Sequence, residues 1–285
     1  MSKEHGFLVI DKPAGITSHD VVAQIRKRLQ TKQVGHAGTL DPMATGVLVI
    51  GINNATKFLQ YIVSGKKSYL GTIRLGIRTI TDDKEGEVID VKDCGGIQDA
   101  DVKSALAKFR GTFMQTPSSV SAKKIEGERA YDLVREGKVV ALEAKEVTVD
   151  SLEVLAIHRN EYLDVDIDVS CSAGTYIRAI ARDLGDALNV GGHLISLRRT
   201  SVSPFDLRDA ASIDEAEVRV LSSEIRKLMP ARTLGFDEVA ELRFGRRIEP
   251  SKEDGAVAGI GPNGEVVAIL DNQGGRAQPI TVFNS

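Results

Sequence analysis

Two cysteines in 285 residues, Cys94 and Cys171, are too few for a disulfide framework. Without a Cys-x-x-Cys pair there is also no sequence basis for a structural zinc or a thioredoxin-like couple. The five histidines lack the close spacing of metal ligands, so no metal site is expected. No stretch approaches the roughly 18 uninterrupted apolar residues of a membrane span, and the start, Met1 to Gly6, leads into only a short apolar run before Asp11 and Lys12. The expectation is a cytoplasmic protein. A Gly-Lys-Ser/Thr phosphate loop is missing too, which removes one common basis for nucleotide chemistry.

What is present is an ordinary globular composition, 42% hydrophobic, long enough for one large domain or a large one with a small one. The net charge of −3 is unevenly spread: residues 1–78 carry 11 Lys/Arg against 4 Asp/Glu. Local potential attracts phosphates more than total charge does, so the first third can offer a basic surface. The simpler reading of that excess is a solvated basic helix at Arg26-Lys27-Arg28.

Phe7 to Ile10 reads as a strand, and Thr17 with Asp20 forms a capping-box pattern for a helix with Val22, Ile25 and Leu29 inward. Val47 to Ile50 is a short buried strand. Behind a cap at Asn53 or Asn54, the residues Ala55, Phe58, Leu59 and Ile62 repeat at helical spacing. Tyr69, Gly71, Ile73 and Leu75 alternate with Leu70, Thr72 and Arg74, a strand with Tyr69 near its start. Val102, Ala105, Leu106 and Phe109 mark another helix. The strict alternation of Leu163, Val165, Ile167 and Val169 with Asp164, Asp166 and Asp168 marks a half-exposed strand, with Cys171 a buried thiol behind it. After Gly174, a helix carries Ile177, Ile180, Ala181, Leu184 and Leu188, with Arg178 at its start. Strands and helices without a regular βα repeat predict an α+β sheet domain over residues 1–230. Between 112 and 147 the apolar periodicity fades, which predicts a mobile insertion; after Pro230, short β-like runs between glycine turns predict a small β domain over 231–285.

The most informative stretch is Gly35-His36-Ala37-Gly38-Thr39-Leu40-Asp41-Pro42-Met43-Ala44-Thr45-Gly46. Pro42 keeps Asp41 out of helical geometry, and the surrounding small residues let another molecule's backbone approach. Asp41 is therefore a presented carboxylate. With Lys12-Pro13-Ala14-Gly15, Lys67-Ser68-Tyr69, the segment Gly76 to Gly86, Gly174-Thr175-Tyr176-Ile177-Arg178 and Leu197-Arg198-Arg199, it resembles the bacterial tRNA pseudouridine-55 synthases, the TruB family. The resemblance runs from about Phe7 to about Phe205.

That resemblance implies a pseudouridine synthase catalytic fold, with a mixed, largely antiparallel central sheet flanked by helices, a thumb-like insertion at about 112–147, and a PUA-like C-terminal RNA-binding domain. It implies isomerisation of a uridine in the tRNA T arm by a monomeric enzyme without cofactor or metal, since breaking and remaking the glycosidic linkage changes no redox state. Asp41 would be the nucleophile, Arg178 its ion-pair partner, and Tyr69 both a stacking platform for the base and a proton acceptor. Attack on the base, attack on the sugar and a glycal route are all compatible with a carboxylate here. His36 would fill the space left by an everted base, Lys12 with Gly15 would brace the loop or touch phosphate, and Tyr176 and Leu197 would line the uracil pocket. Asp83 matches the family without an assigned step. Ser68 and Ala173 stand where many relatives carry a basic residue, which removes two possible phosphate contacts. A non-catalytic RNA binder or folding chaperone could use the same surface, and a carbohydrate-active enzyme could pair Asp41 with Asp82 or Asp83.

Overall fold

A computed structural model describes residues 4–118, 124–125, 128–129 and 143–283. Its strands are β1 (Gly6–Lys12), β2 (Val34–Ala37), β3 (Thr45–Ile52), β4 (Lys67–Leu75), β5 (Ile77–Thr79), β6 (Val88–Val91), β7 (Gly111–Gln115), β8 (Lys124–Ile125), β9 (Glu128–Arg129), β10 (Lys145–Arg159), β11 (Leu163–Cys171), β12 (Gly192–Val202), β13 (Phe205–Asp206), β14 (Arg219–Val220), β15 (Ala231–Thr233), β16 (Val257–Ile260), β17 (Val266–Gln273) and β18 (Arg276–Val282). The main sheet runs β14-β1-β3-β12-β4-β11-β10-β7, with β2 on β3 and β13 on β12. Every pairing in it is antiparallel except β3 with β12, which meet in parallel over only Arg198↔Thr45 and Arg199↔Gly46. This is the mixed, largely antiparallel α+β sheet that the sequence leads one to expect.

The alternation in β4 and β11 does what period two requires: Ile73, Leu75, Val165, Ile167 and Val169 are buried on one face. On the other, Arg74 pairs with Asp164 and Thr72 donates to Asp166. Helix Ser18–Arg28 is opened by a full capping box from Thr17 and Asp20 and buries Val21, Val22 and Ile25. Helix Ile177–Ala187 connects β11 to β12 and packs Ile177, Ile180, Ala181 and Leu184 on the buried face.

Several local expectations fail for tertiary reasons. Asn53 does not cap a helix; it takes a left-handed φ of 53°, donates to the Glu4 carbonyl and accepts from Thr31, while a 3-10 turn over Asn53–Phe58 precedes a short helix Leu59–Val63. Arg26 and Arg28 are not a free basic face, because Arg26 donates to the Val34 carbonyl and Arg28 to those of Ile213 and Ala216. Both ends of the expected insertion belong to the sheet, since residues 111–115 pair with 145–149. Apart from the short β8–β9 pair, the rest of that insertion lies outside the described residues. The four-stranded sheet β15-β16-β17-β18 shares a core with the main sheet, where Ile260, Ile269 and Phe283 pack with Phe7, Val9 and Phe58.

Candidate active site

Asp41 lies on the loop between β2 and β3, and the loop is strapped down along its length. Its hydrophobic members Leu40, Met43 and Ala44 are buried. Ser18, at the start of the first helix, donates to the Leu40 carbonyl (3.1 Å) and accepts from the Leu40 N–H (2.8 Å). The Gly15 N–H donates to the Pro42 carbonyl at 2.8 Å. Lys12, wholly buried, sends its ammonium to the carbonyls of Pro13 (2.8 Å), Ile16 (2.7 Å) and Pro42 (3.3 Å).

At the seam, Gly46 has φ +99°, and a Cβ there would stand 2.2 Å from the Arg199 carbonyl oxygen. Only a residue without a side chain lets β3 draw that close to β12. Arg199 is itself 1% exposed. Its guanidinium donates to the carbonyls of Val47 (2.8 Å), Gly38 (2.9 Å) and Thr39 (3.5 Å), gripping both ends of the Asp41 loop. In the β12–β4 register Arg199 is directly opposite Tyr69.

The carboxylate of Asp41 meets Arg178, with Nε to Oδ2 at 3.1 Å and Nη2 to Oδ1 at 3.4 Å. The other edge of the same guanidinium reaches Asp83 Oδ2 at 2.9 Å and the Thr81 carbonyl at 3.0 Å. Asp83 is held in turn by the Thr81 hydroxyl (2.5 Å) and the Glu85 N–H (3.1 Å). Arg178 is thus fixed between a buried carboxylate and a half-exposed one. One turn later, Arg182 holds Asp82 at 3.3 Å and the Thr116 carbonyl at 2.8 Å. Burial raises the Asp82 carboxyl against the pull of Arg182.

A cavity of about 430 Å³ opens here, and Asp41, Tyr69, Tyr176, Arg178, Leu197 and Arg199 are among its lining residues. Burial pushes the Tyr69 phenol up, and Arg199 pulls it back down. Lys67 also lines the cavity; its ammonium donates to the carbonyls of Val63 and Gly65, both at 2.7 Å, and burial, reinforced by Arg199, lowers it to about 8. The backbone of Tyr176 is held on both sides by Gln115, whose amide donates to the Tyr176 carbonyl (3.1 Å) and accepts from its N–H (2.8 Å). His36 does not line the cavity. It sits on β2 opposite Ile50, edge-on to His19 at 5.3 Å, with Nδ1 buried and without a hydrogen-bond partner among the described residues. Burial lowers it to about 4, helped by His19 and Arg199.

Cavity size alone does not single out this place, since a groove of about 470 Å³ lies over the other face of the sheet, lined by Leu70, Thr72, Asp166 and Ser196. What marks the 430 Å³ cavity is a carboxylate, a phenol and guanidinium groups converging from separate elements. Sequence reading assigned no task to Asp83, Lys67, Arg199 or Gln115. The first three stand inside the motifs quoted above, which was the available signal; Gln115 carried none.

The chain is similar to known proteins over almost all of its length. Residues 26–177 match the model of the N-terminal domain of the TruB family pseudouridylate synthases, 178–229 that of a tRNA pseudouridylate synthase B C-terminal domain, and 229–284 that of a tRNA pseudouridine synthase II C-terminal domain. The chain is 49% identical over 294 residues to a tRNA pseudouridine synthase B of Arthrobacter sp. (strain FB24), covering 98% of this chain and 96% of that one. To the protein of the same name from Mycobacterium leprae (strain TN) it is 47% identical over 290 residues, covering 98% and 91%. Among solved structures, a chain of an H/ACA RNP bound to a substrate RNA containing 2′-deoxyuridine superposes with a TM-score of 0.71 at 24% identity, covering 98% of this chain and 85% of that chain, a likeness of fold.

Proposed function

We propose that this chain, which belongs to the TruB family of pseudouridylate synthases, isomerises a uridine of transfer RNA to pseudouridine, and that its target is the T-arm uridine at position 55. The single observation that carries the reading is the Asp41–Arg178 contact, 3.1 Å long, at the wall of a cavity that also holds Tyr69. A guanidinium anchored from behind by Asp83 holds the Asp41 carboxylate in place against the cavity without having to move.

A base within a folded arm is out of reach, so it is everted at a cost of a few kcal/mol. His36 takes up the vacated space; its neutral, largely apolar ring suits a stack better than a solvated cation would. In the cavity the uracil lies on the Tyr69 ring, bounded by Leu197 and Tyr176. Asp41 promotes cleavage of the C1′–N1 bond, the base turns, C5 joins C1′, and the C5 proton leaves to the Tyr69 hydroxyl or to water. Residues 1–230 carry this chemistry, and 231–285 form an accessory unit that contacts RNA.

Asp41→Asn tests the reading, because it keeps shape and removes charge. With a T-arm stem-loop under single-turnover conditions, pseudouridine formation should fall by about a thousandfold or more while the RNA Kd stays within about threefold. Normal product formation by Asp41→Asn would sink the assignment. A wild-type protein that binds the RNA without converting it would favour a binding or folding-chaperone role on the same surface.

A further inference from the structure

Four cations surround the Asp41 loop, and three of them have no carboxylate partner among the described residues. Lys12, Lys67 and Arg199 are 0%, 6% and 1% exposed, and the hydrogen bonds described above take their donors to backbone carbonyls. Arg178 alone is matched, to Asp41 and Asp83. Even with Glu85 counted at the rim, positive charge exceeds negative. Burying an unmatched ion costs several kcal/mol, and neutral side chains can tie carbonyls together in a turn as well. Such an excess is explained if an anion forms here during turnover.

The reaction supplies one, on each chemical route open to Asp41. If Asp41 bonds to C1′, the electron pair of the C1′–N1 bond leaves on the uracil. If Asp41 instead takes the C2′ proton, the same pair leaves on the uracil and the sugar becomes a glycal. If Asp41 adds to the base, the ring carries the displaced pair as an enolate. In each case negative charge moves from the carboxylate held by Arg178 to the base lying on Tyr69. It returns when C5 bonds to C1′ and the C5 proton is lost.

Resting on the function proposed above, we propose that Arg199 is a positioning residue that acts through the Tyr69 hydroxyl to stabilise the negative charge gathered on the uracil as its bond to the sugar breaks. Arg199 lies directly across the sheet from Tyr69, both residues line the cavity, and its guanidinium fixes both ends of the Asp41 loop. The cation is therefore held against the base side of the cavity, whereas Arg178 is held against the carboxylate side. Lys67, two residues before Tyr69 on the same strand, adds to the same potential.

The test uses the full chain and two T-arm stem-loops, one with uridine and one with 4-thiouridine at the target. The thio base keeps its C5 proton and is the more acidic heterocycle, so it needs less help to carry negative charge. With uridine, Arg199→Met should lower the single-turnover rate by about a hundredfold with the RNA Kd within about threefold. With 4-thiouridine the fall should shrink to about tenfold or less, and Arg199→Lys should recover at least about tenfold over Arg199→Met on uridine. Added to Tyr69→Phe, Arg199→Met should lower the rate by no more than about threefold, because its route runs through the missing hydroxyl. Equal falls on the two RNAs, or effects that multiply with those of Tyr69→Phe, would overturn the proposal. Should Arg199→Met fail to fold, Tyr69→Phe carries the test alone, since it breaks the relay and spares the loop clamp: it must show the same smaller fall on 4-thiouridine. A wild-type chain inactive on both RNAs would refute the proposed function, whereas an active one with equal falls refutes only the part given to Arg199.

Discussion

Asp83→Asn isolates what holds the Asp41–Arg178 pair from behind. The Asp83 side chain is 4% exposed and that of Arg178 7%, with 2.9 Å between them, so the exchange removes a charge from a buried ion pair while almost preserving its shape. Breaking such a pair by neutralising one partner costs about 3–5 kcal/mol, because the other charge stays buried. Arg178 keeps Asp41 and the Thr81 carbonyl, which puts the expected loss near the low end, about 3 kcal/mol. For a domain of this size, each kcal/mol moves Tm by about 2–4 °C, so the variant should melt roughly 6–12 °C lower. With its rear anchor gone, Arg178 can turn away from Asp41, and the single-turnover rate should fall by about ten- to a hundredfold while RNA affinity holds. Thermal melts followed by circular dichroism, paired with stem-loop turnover, read both quantities. A Tm within about 2 °C of the parent with an unchanged rate would refute the view that Asp83 fixes Arg178.

Gly46→Ala should be among the more damaging single-methyl additions, because its Cβ would stand 2.2 Å from the Arg199 carbonyl oxygen at a φ of +99°; chemical denaturation should show a loss of about 3 kcal/mol or more, and a loss under about 1 kcal/mol would mean that the seam can open. For His36 the folded pKa, about 4, lies below the usual 6.5. The unfolded chain then binds more protons between those values, so the stability contributed by neutral His36 is full above about 6.5 and is lost as pH falls towards 4. Allowing for its partial exposure, that amounts to about 1–2 kcal/mol. Urea unfolding at pH 7 and pH 4.5 should show His36→Leu losing less stability on acidification than the parent, and parallel losses would contradict the assigned cause.

Patterns that depend on neighbours in sequence were legible, and those set by distant parts of the chain were not. The alternation from Leu163 to Val169 specifies β11 because its period fixes which side chains face the core. Thr17 and Asp20 specify a helix start because both capping bonds are local. Asn53 carries an equally good cap signal, yet contacts to Glu4 and Thr31 recruit its side chain elsewhere. Helix Phe236–Arg243 went unread because only Val239 and Leu242 face inward while Phe236 points to solvent, which blurs the helical period. The charge excess of the first 78 residues was plain, but not its direction: Lys12 and Lys67 turn inward, and Arg74 and Arg78 are paired with Asp164 and Asp186. Part of what reads as a basic surface is the positive interior of the site.

That interior gathers around one short pairing in the sheet. β3 and β12 pair in parallel over two residues only, while their other neighbours run antiparallel over most of their length. The loop before β3 and the start of β4 lie on either side of β12, and both line the cavity. Asp41 comes from one side of the seam, Tyr69 from the other, Arg199 from the seam itself and Arg178 from the helix that leads into β12. Asp41 and Arg178 are 137 residues apart in the chain, so no local pattern could have brought them together. It follows that perturbations sort by position. Opening the seam at Gly46 should damage fold and site together, whereas Asp41→Asn, at a half-exposed carboxylate, should leave the fold standing and remove the chemistry.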